Sequence, residues 1–99
     1  YKAKYPNMIN LDKFPNYFNK IINTVVIVEK VRTIETKKGD DMMFFDGSDE
    51  YSKADFTLFP KAYQKYSNIK TGDILKITGR VERRYDSFQI VVSEVSKLN

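Results

Sequence analysis

The 99-residue sequence contains no cysteine and no histidine. The lack of cysteine excludes a disulfide framework and thiolate chemistry. The lack of histidine removes the commonest general base and the commonest metal ligand. No stretch approaches the roughly 18 apolar residues of a membrane span, and the apolar run Val25 to Val28 has the size of a strand. We therefore expect no catalysis within this chain, no metal, no cofactor and no membrane partner.

The length is that of one small domain. Hydrophobic residues make up 41% of the chain, enough for one modest core, and 30% of the residues are charged. The net charge of +4 is a mild basic bias that suits a polyanionic partner without requiring one. The sequence starts at Tyr1 rather than Met, with no basic-then-apolar signal segment, so we expect a piece of a longer protein.

The first 21 residues differ in pattern from the rest and carry two prolines. Four apolar positions there have helical spacing and predict one short amphipathic turn that packs on the domain. These positions are Phe14, Tyr17, Phe18 and Ile21. The alternative is a docking contact with a neighbouring domain. We expect a lead-in segment over residues 1–21 and a folded domain over residues 22–99.

Five segments of the domain are rich in β-branched residues or alternate between apolar and polar side chains. They predict strands at residues 22–36, 42–45, 53–59, 74–82 and 88–95. Residues 60–69, PKAYQKYSNI, predict a short helix with Pro60 at its first position. In the turn KKGD, Gly39 is predicted to supply a positive φ.

Five strands with one helix between the third and fourth are the element order of an OB-fold barrel. In that fold the helix closes the bottom of the barrel, so strand three passes into it almost without a loop. Gly79 in mid-strand suits a tight bend. An SH3-like barrel lacks a full helical turn here, and an open sheet would leave an apolar edge exposed. The sequence therefore predicts an all-β, five-stranded OB-fold barrel after an irregular lead-in.

The alternation of each strand predicts which side chains fill the barrel. The expected core is Val28, Val31, Met43, Phe45, Phe56, Leu58, Leu75, Ile77, Phe88 and Ile90. The opposite phase predicts outward positions at Met42, Phe44, Lys53, Asp55 and Thr57. OB-folds bind single strands on this outer face of strands two and three, between the loops that follow strands one and four.

An outward Phe44 between basic loops suits base stacking, because the face of an aromatic ring accepts any base and cations track the phosphates. The competing interpretation is that Phe14 or Phe18 covers Phe44. The predicted nucleic-acid-binding residues are Lys30, Arg32, Lys37, Lys38, Phe44, Lys53, Asp55, Thr57, Arg83, Arg84 and Tyr85.

One carboxylate cluster, Asp46, Asp49 and Glu50, offers an enzyme alternative, a small metal-dependent hydrolase or nuclease. Its spacing is not that of a calcium-binding loop. We therefore predict a solvated turn between strands two and three, with no catalytic and no metal-binding residue.

Residues 36–63, TKKGDDMMFFDGSDEYSKADFTLFPKAY, resemble the OB domain near the C-terminus of the bacterial DNA polymerase III alpha subunit. The matching motifs are Thr36 to Gly39, Met42 to Phe44, the acidic turn Asp49-Glu50, Leu58-Phe59-Pro60 with Tyr63, Gly72-Asp73 and Gly79 to Arg84. The resemblance covers roughly residues 22–95, and L-F-P is its most distinctive element. Gly47 departs from it, because that family usually has a large apolar residue there.

The resemblance implies a bacterial, cytoplasmic replication protein at the nucleoid. Its OB domain would hold single-stranded template DNA, and its polymerase aspartates would lie in a separate domain. Neighbouring polymerase domains and replisome subunits would be further partners. Two alternatives stay open. Phe44 also matches the base-stacking position of the anticodon-binding OB domains of class II aminoacyl-tRNA synthetases, and an OB domain can serve protein docking alone.

Overall fold

The computed structural model of the chain describes residues 16–49, 52–85 and 87–98. Within them the elements are β1 (Ile21–Glu35), β2 (Asp41–Ser48), β3 (Lys53–Leu58), α1 (Pro60–Lys65), β4 (Ile74–Arg84) and β5 (Ser87–Lys97). The strands close into a barrel in the order β1-β2-β3-β5-β4. Strands β3 and β5 are parallel, and the other neighbouring pairs are antiparallel. The predicted OB-fold barrel is confirmed.

Strand β1 is long because it pairs with two neighbouring strands. Its first half pairs with β4, from Ile21 to Ile27, and its second half pairs with β2 as far as Glu35. The register shifts between Val28 and Lys30, so Glu29 is the extra residue of a β-bulge. A bulge bends and twists its strand, and this bend lets a single strand pair with both β4 and β2.

The core is built around two stacked phenylalanine rings. The centroids of Phe45 and Phe56 lie 4.9 Å apart with the rings nearly parallel, and both side chains are buried. Of the ten predicted core residues, eight are buried. The other two, Val31 and Phe88, are partly buried and pack against the outside of the cluster, because Val31 follows the bulge and Phe88 lies next to the β4–β5 turn.

Two glycines allow close approaches that a side chain would block. A Cβ at Gly47 would lie 2.7 Å from Cε2 of Phe56, and a Cβ at Gly79 would lie 2.6 Å from the carbonyl oxygen of Val91. Gly47 therefore leaves room for the Phe56 ring. Gly79 stands at a register shift between β4 and β5, which confirms the predicted bend.

Only the end of the predicted lead-in lies within the described residues, and Phe14 falls outside them. Residues 16 and 17 form a single 3₁₀ turn. Tyr17 packs against the core, and the ring of Phe18 meets that of Phe88 edge-on at 5.8 Å. The prediction for Ile21 is wrong, because pairing with Arg80 makes it the exposed first residue of β1.

Helix α1 follows β3 after a single residue. Phe59 keeps an extended backbone, and Pro60 opens the helix, as predicted. The helix ends at Lys65 rather than near residue 69, because the chain leaves it to bury Ile69 in the core. In the described part of the chain, no helix has the length and apolar character needed to cross a membrane.

Candidate nucleic-acid interface

The outward face of β1, β2 and β3 is organised in two rows set by the strand register. In one row Arg32 lies opposite Phe44, and Phe44 lies opposite Thr57. In the other row Lys30 lies opposite Asp46, which lies opposite Asp55. Opposed residues of neighbouring strands share one face of a sheet. The bulge in β1 therefore places both predicted cations of that strand beside β2.

Arg32 and Phe44 form one composite surface. The guanidinium carbon of Arg32 lies 5.1 Å from the centroid of the Phe44 ring, within the range of a cation–π interaction. Arg32 is exposed and Phe44 is half-buried. The positive charge of Arg32 thus lies over the aromatic ring of Phe44 on the outer face.

Thr57 does not lie at the surface, which corrects its predicted exposure. Its side chain is fully buried, and its hydroxyl donates a hydrogen bond of 2.6 Å to Oε1 of Gln89. Strand β3 has a neighbour on each side, so Thr57 lies between Phe44 of β2 and Val91 of β5. Met42, also predicted to be outward, is buried too. Thr57 therefore supports the face and cannot touch a ligand.

The Lys30 row is mixed in charge. Lys30, Lys53 and Asp55 are exposed, and Asp46 is partly exposed. Two carboxylates on neighbouring strands repel phosphate groups, whereas carboxylate oxygens accept hydrogen bonds from the amino groups of bases. This row therefore suits base edges better than the sugar-phosphate backbone.

The β1–β2 hairpin presents two lysines at a tight turn. The Gly39 amide donates to the Thr36 carbonyl at 2.9 Å, and the Thr36 amide donates to the Asp40 carbonyl at 2.7 Å. Gly39 has φ of +87°, which confirms its predicted role. This is a three-residue loop with a left-handed last residue, and it leaves Lys37 and Lys38 exposed.

The β4–β5 connection is shorter than predicted. Arg83 and Arg84 belong to β4, and Arg84 pairs with Ser87, so the connection is a two-residue turn. Tyr85 has φ of +55° and is 89% exposed. Nε of Arg83 donates to the carbonyl oxygen of Tyr85 at 3.3 Å. Arg83 and Tyr85 are thus available to a ligand at this end of the barrel.

The register places the two hairpins at opposite ends of the outer face. The β1–β2 turn lies beyond the Glu35–Asp41 pair, and the β4–β5 turn lies near the level of Ser48 and Lys53. Strand β2 between them is about 24 Å long at roughly 3.4 Å per residue. The predicted cations therefore border the face at both ends and do not form one compact patch.

The carboxylate cluster of the enzyme alternative does not form a site within the described residues. Asp46 faces outward on β2, whereas Oδ1 of Asp49 accepts the Ser52 amide at 3.0 Å and fixes the β2–β3 turn. Glu50 lies outside the described residues. Over residues 16–49, 52–85 and 87–98, no three acidic, histidine or cysteine side chains are placed to hold a metal ion.

One carboxylate with a shifted pKa lies away from this face, before β4. The Lys70 amide donates to Oδ2 of Asp73 at 2.8 Å, and Nζ of Lys97 lies 3.0 Å from the same oxygen. The Lys70 hydrogen bond, helped by the Lys97 charge, holds the pKa of Asp73 below its ordinary value against the effect of burial. This contact ties the 70–73 turn to the end of β5, and its role is structural.

A groove beside α1 was not predicted from the sequence. It has a volume of about 280 Å³ and is lined by Phe59, Lys61, Ala62, Lys65, Val91, Val92 and Ser93. Phe59 is 46% exposed. In the sequence, Phe59 continues the alternation of β3 with the same phase as Thr57. This outward phase was the one signal that could have indicated the groove.

The fold and the outer face together define a class of protein. A closed five-stranded barrel with a helix between its third and fourth strands, and with cations beside an aromatic ring on the outer face of β1 and β2, is an OB-fold of the nucleic-acid-binding kind. Residues 25–98 match the family model described as OB-fold nucleic acid binding domain. The chain belongs to that family.

Similar proteins include polymerase subunits and OB-fold proteins of known structure. The chain is 32% identical over 74 residues to DNA polymerase III subunit alpha of Bacillus subtilis (strain 168), a match covering 74% of this chain and 7% of that protein. The resemblance noted in the sequence is thereby confirmed. This chain spans less than a tenth of the length of that polymerase subunit.

Two solved structures show the same fold at low sequence identity. A putative aspartyl-tRNA synthetase from Leishmania major Friedlin superposes with a TM-score of 0.73 at 15% identity, over 93% of this chain and 20% of that one. A mitochondrial single-stranded DNA binding protein from S. cerevisiae gives a TM-score of 0.64 at 8% identity, over 81% of this chain and 94% of that one.

Proposed function

We propose that this chain is a single-stranded-DNA-binding OB module of a bacterial replicative DNA polymerase of the DNA polymerase III alpha type. The observation that carries the proposal is the Arg32 guanidinium over the ring of an outward Phe44. Stacking on the ring would hold a base, and the neighbouring cations would hold its phosphates. The similarity to the Bacillus subtilis polymerase subunit favours DNA as the ligand.

In this proposal the outer face holds template DNA, and the polymerisation chemistry belongs to other parts of a longer chain in the bacterial cytoplasm. Residues 1–21 are the lead-in to the module, and neighbouring polymerase domains and replisome subunits are its protein partners. The proposed site comprises the residues predicted from the sequence except Thr57, which is buried. Lys30, Arg32 and Phe44 form its centre, Lys53 and Asp55 its β3 flank, and Lys37, Lys38, Arg83, Arg84 and Tyr85 its two ends.

The charge contribution can be tested with a salt titration. Replacing Lys37 and Lys38 together by Gln removes two cations from an exposed turn without altering the Gly39 geometry. If both touch phosphates, the slope of log affinity for single-stranded DNA against log salt becomes shallower by about 1.4, at roughly 0.7 per contact. The measurement is fluorescence anisotropy of a labelled oligothymidylate at several salt concentrations.

The matched control is Lys20→Gln, which removes one exposed lysine just before β1 and should leave the slope unchanged. An unchanged slope in the double variant would place Lys37 and Lys38 away from the phosphates. An RNA oligonucleotide of the same length separates the main proposal from the tRNA alternative. Tighter binding of RNA than of DNA would favour an anticodon-binding role, and no binding of either would favour protein docking.

A further inference from the structure

We infer that Phe59 is a second base-stacking residue and that the groove beside α1, with Lys61 and Lys65, continues the single-strand path beyond Phe44. This inference rests on the proposed nucleic-acid function and adds a subsite to it. It also gives a role to Phe59, the middle residue of the L-F-P junction, in which Leu58 belongs to the core and Pro60 opens the helix.

The first support is the position of Phe59 relative to Phe44. Phe44 lies opposite Thr57 in the β2–β3 register, and Phe59 comes two residues after Thr57. Its backbone is still extended, with φ of −66° and ψ of 164°, so it keeps the outward phase of Thr57. Diagonal neighbours of this kind lie about 7–8 Å apart in a sheet. The register thus places Phe59 diagonally beyond Phe44, and in this inference the two rings receive successive bases.

The second support is the exposure of Phe59, which the packing of the fold leaves unexplained. The side chain is 46% exposed and lines a groove whose other walls include Ala62 and Val91. Val91 lies opposite Thr57 on the β5 side, so only strand β3 separates it from Phe44 on β2. The apolar part of the groove lining suits the face of a base.

The third support is charge. Lys61 and Lys65 are four residues apart in α1, so they lie on one face of the helix, and both are exposed and line the groove. Neither lysine side chain makes an ion pair or hydrogen bond with the described residues. Two cations beside an exposed aromatic ring match the combination of phosphate contacts and stacking platforms found in single-strand-binding proteins.

The test measures binding of a labelled oligothymidylate of about twelve nucleotides, within the usual footprint of one OB fold, to the whole 99-residue chain. Phe59→Ala is expected to weaken affinity about five-fold or more, because each stacked base contributes roughly a factor of five to a hundred. Phe59→Tyr should retain most of the affinity. Phe59→Leu should behave like Phe59→Ala, because it keeps the apolar bulk but loses the ring face.

A double variant, Lys61→Gln with Lys65→Gln, tests the same groove without touching the β3–α1 junction. It should reduce the salt slope by about 1.4. In NMR titrations, the methyl signals of Ala62 and Val91 should shift when oligothymidylate is added to the wild-type chain. At equal saturation with oligothymidylate, these signals should shift less in Phe59→Ala than in the wild type. That difference would show that the shifts report binding at this subsite.

The outcomes separate this inference from the proposed function. If the wild-type chain binds no single-stranded DNA, the proposed function fails. If it binds and Phe44→Ala weakens binding, while the Phe59 and lysine variants match the wild type, only the second subsite is overturned. Shifts of Ala62 and Val91 that follow an acidic peptide but not oligothymidylate would also overturn it and assign the groove to a protein partner.

Discussion

At the scale of single residues, the absence of a side chain at Gly47 explains the packing of the core. Phe56 occupies the space that a side chain at Gly47 would fill and stacks on Phe45.

The structure therefore predicts a large stability loss for Phe56→Ala. The side chain is fully buried, and its removal would leave a cavity between Gly47 and Phe45. We expect the free energy of unfolding to fall by about 3–5 kcal/mol, measured by chemical denaturation. Phe59→Ala is the matched control, because its ring is half-exposed and its removal should cost much less. A loss below about 1 kcal/mol for Phe56→Ala would contradict this packing.

At the scale of elements, the sequence predicted which strands form better than where they end. Alternation and Pro60 identified all five strands and the helix, because side-chain burial imposes these patterns. Strand β2 nevertheless continues through Asp46, Gly47 and Ser48, which pair with β3. Strand β4 likewise continues through Arg83 and Arg84. These residues have turn-like or charged side chains, and backbone hydrogen bonds to the neighbouring strand decide their conformation.

The same limit applies to the candidate site. Phe44 was assigned to the outer face by alternation from Phe45, and the structure agrees. The proximity of Arg32 to Phe44 depends on the bulge at Glu29, which no local pattern locates. The burial of Thr57 depends on Gln89, which is 32 residues away in the sequence. Local sequence patterns therefore could not predict contacts between strands that are far apart along the chain.

The 70–73 turn before β4 gives a prediction of pH dependence. The folded pKa of Asp73 lies below its ordinary value of 3.8, so the ionised form is stabilised in the folded state. The stabilisation of the fold by the ionised Asp73 is fully present above the ordinary pKa of 3.8. It is lost as the pH falls through the lower folded pKa. Asp73→Asn should therefore be less stable than the wild type at neutral pH, and the difference should shrink at the acid end.

Urea unfolding across the acid range measures this difference. Lys97→Gln should remove only part of it, because the Lys70 amide still donates to Asp73. A difference between wild type and Asp73→Asn that stayed constant at low pH would show that the carboxylate charge is not what stabilises this turn.

At the scale of the whole molecule, the barrel separates structural and functional roles on its two faces. The inside is filled by apolar side chains around Phe45 and Phe56. The outside of β1, β2 and β3 presents Arg32 and Phe44 between two basic hairpins. A closed barrel has no free sheet edge, so a ligand cannot bind by adding a strand to the sheet. The central claim is that Phe44 stacks a base of single-stranded DNA there.

The most direct test is to measure both single-strand affinity and folding stability for Phe44→Ala. Stacking contributes roughly 1–3 kcal/mol per base, so affinity should fall about five-fold to a hundred-fold. The free energy of unfolding should fall by only about 1 kcal/mol, because the ring is half-buried and lies outside the core cluster. Phe44→Tyr should retain most of the affinity. Unchanged affinity in a well-folded Phe44→Ala protein would contradict the claim, as would a stability loss of several kcal/mol that accounts for all of the lost binding.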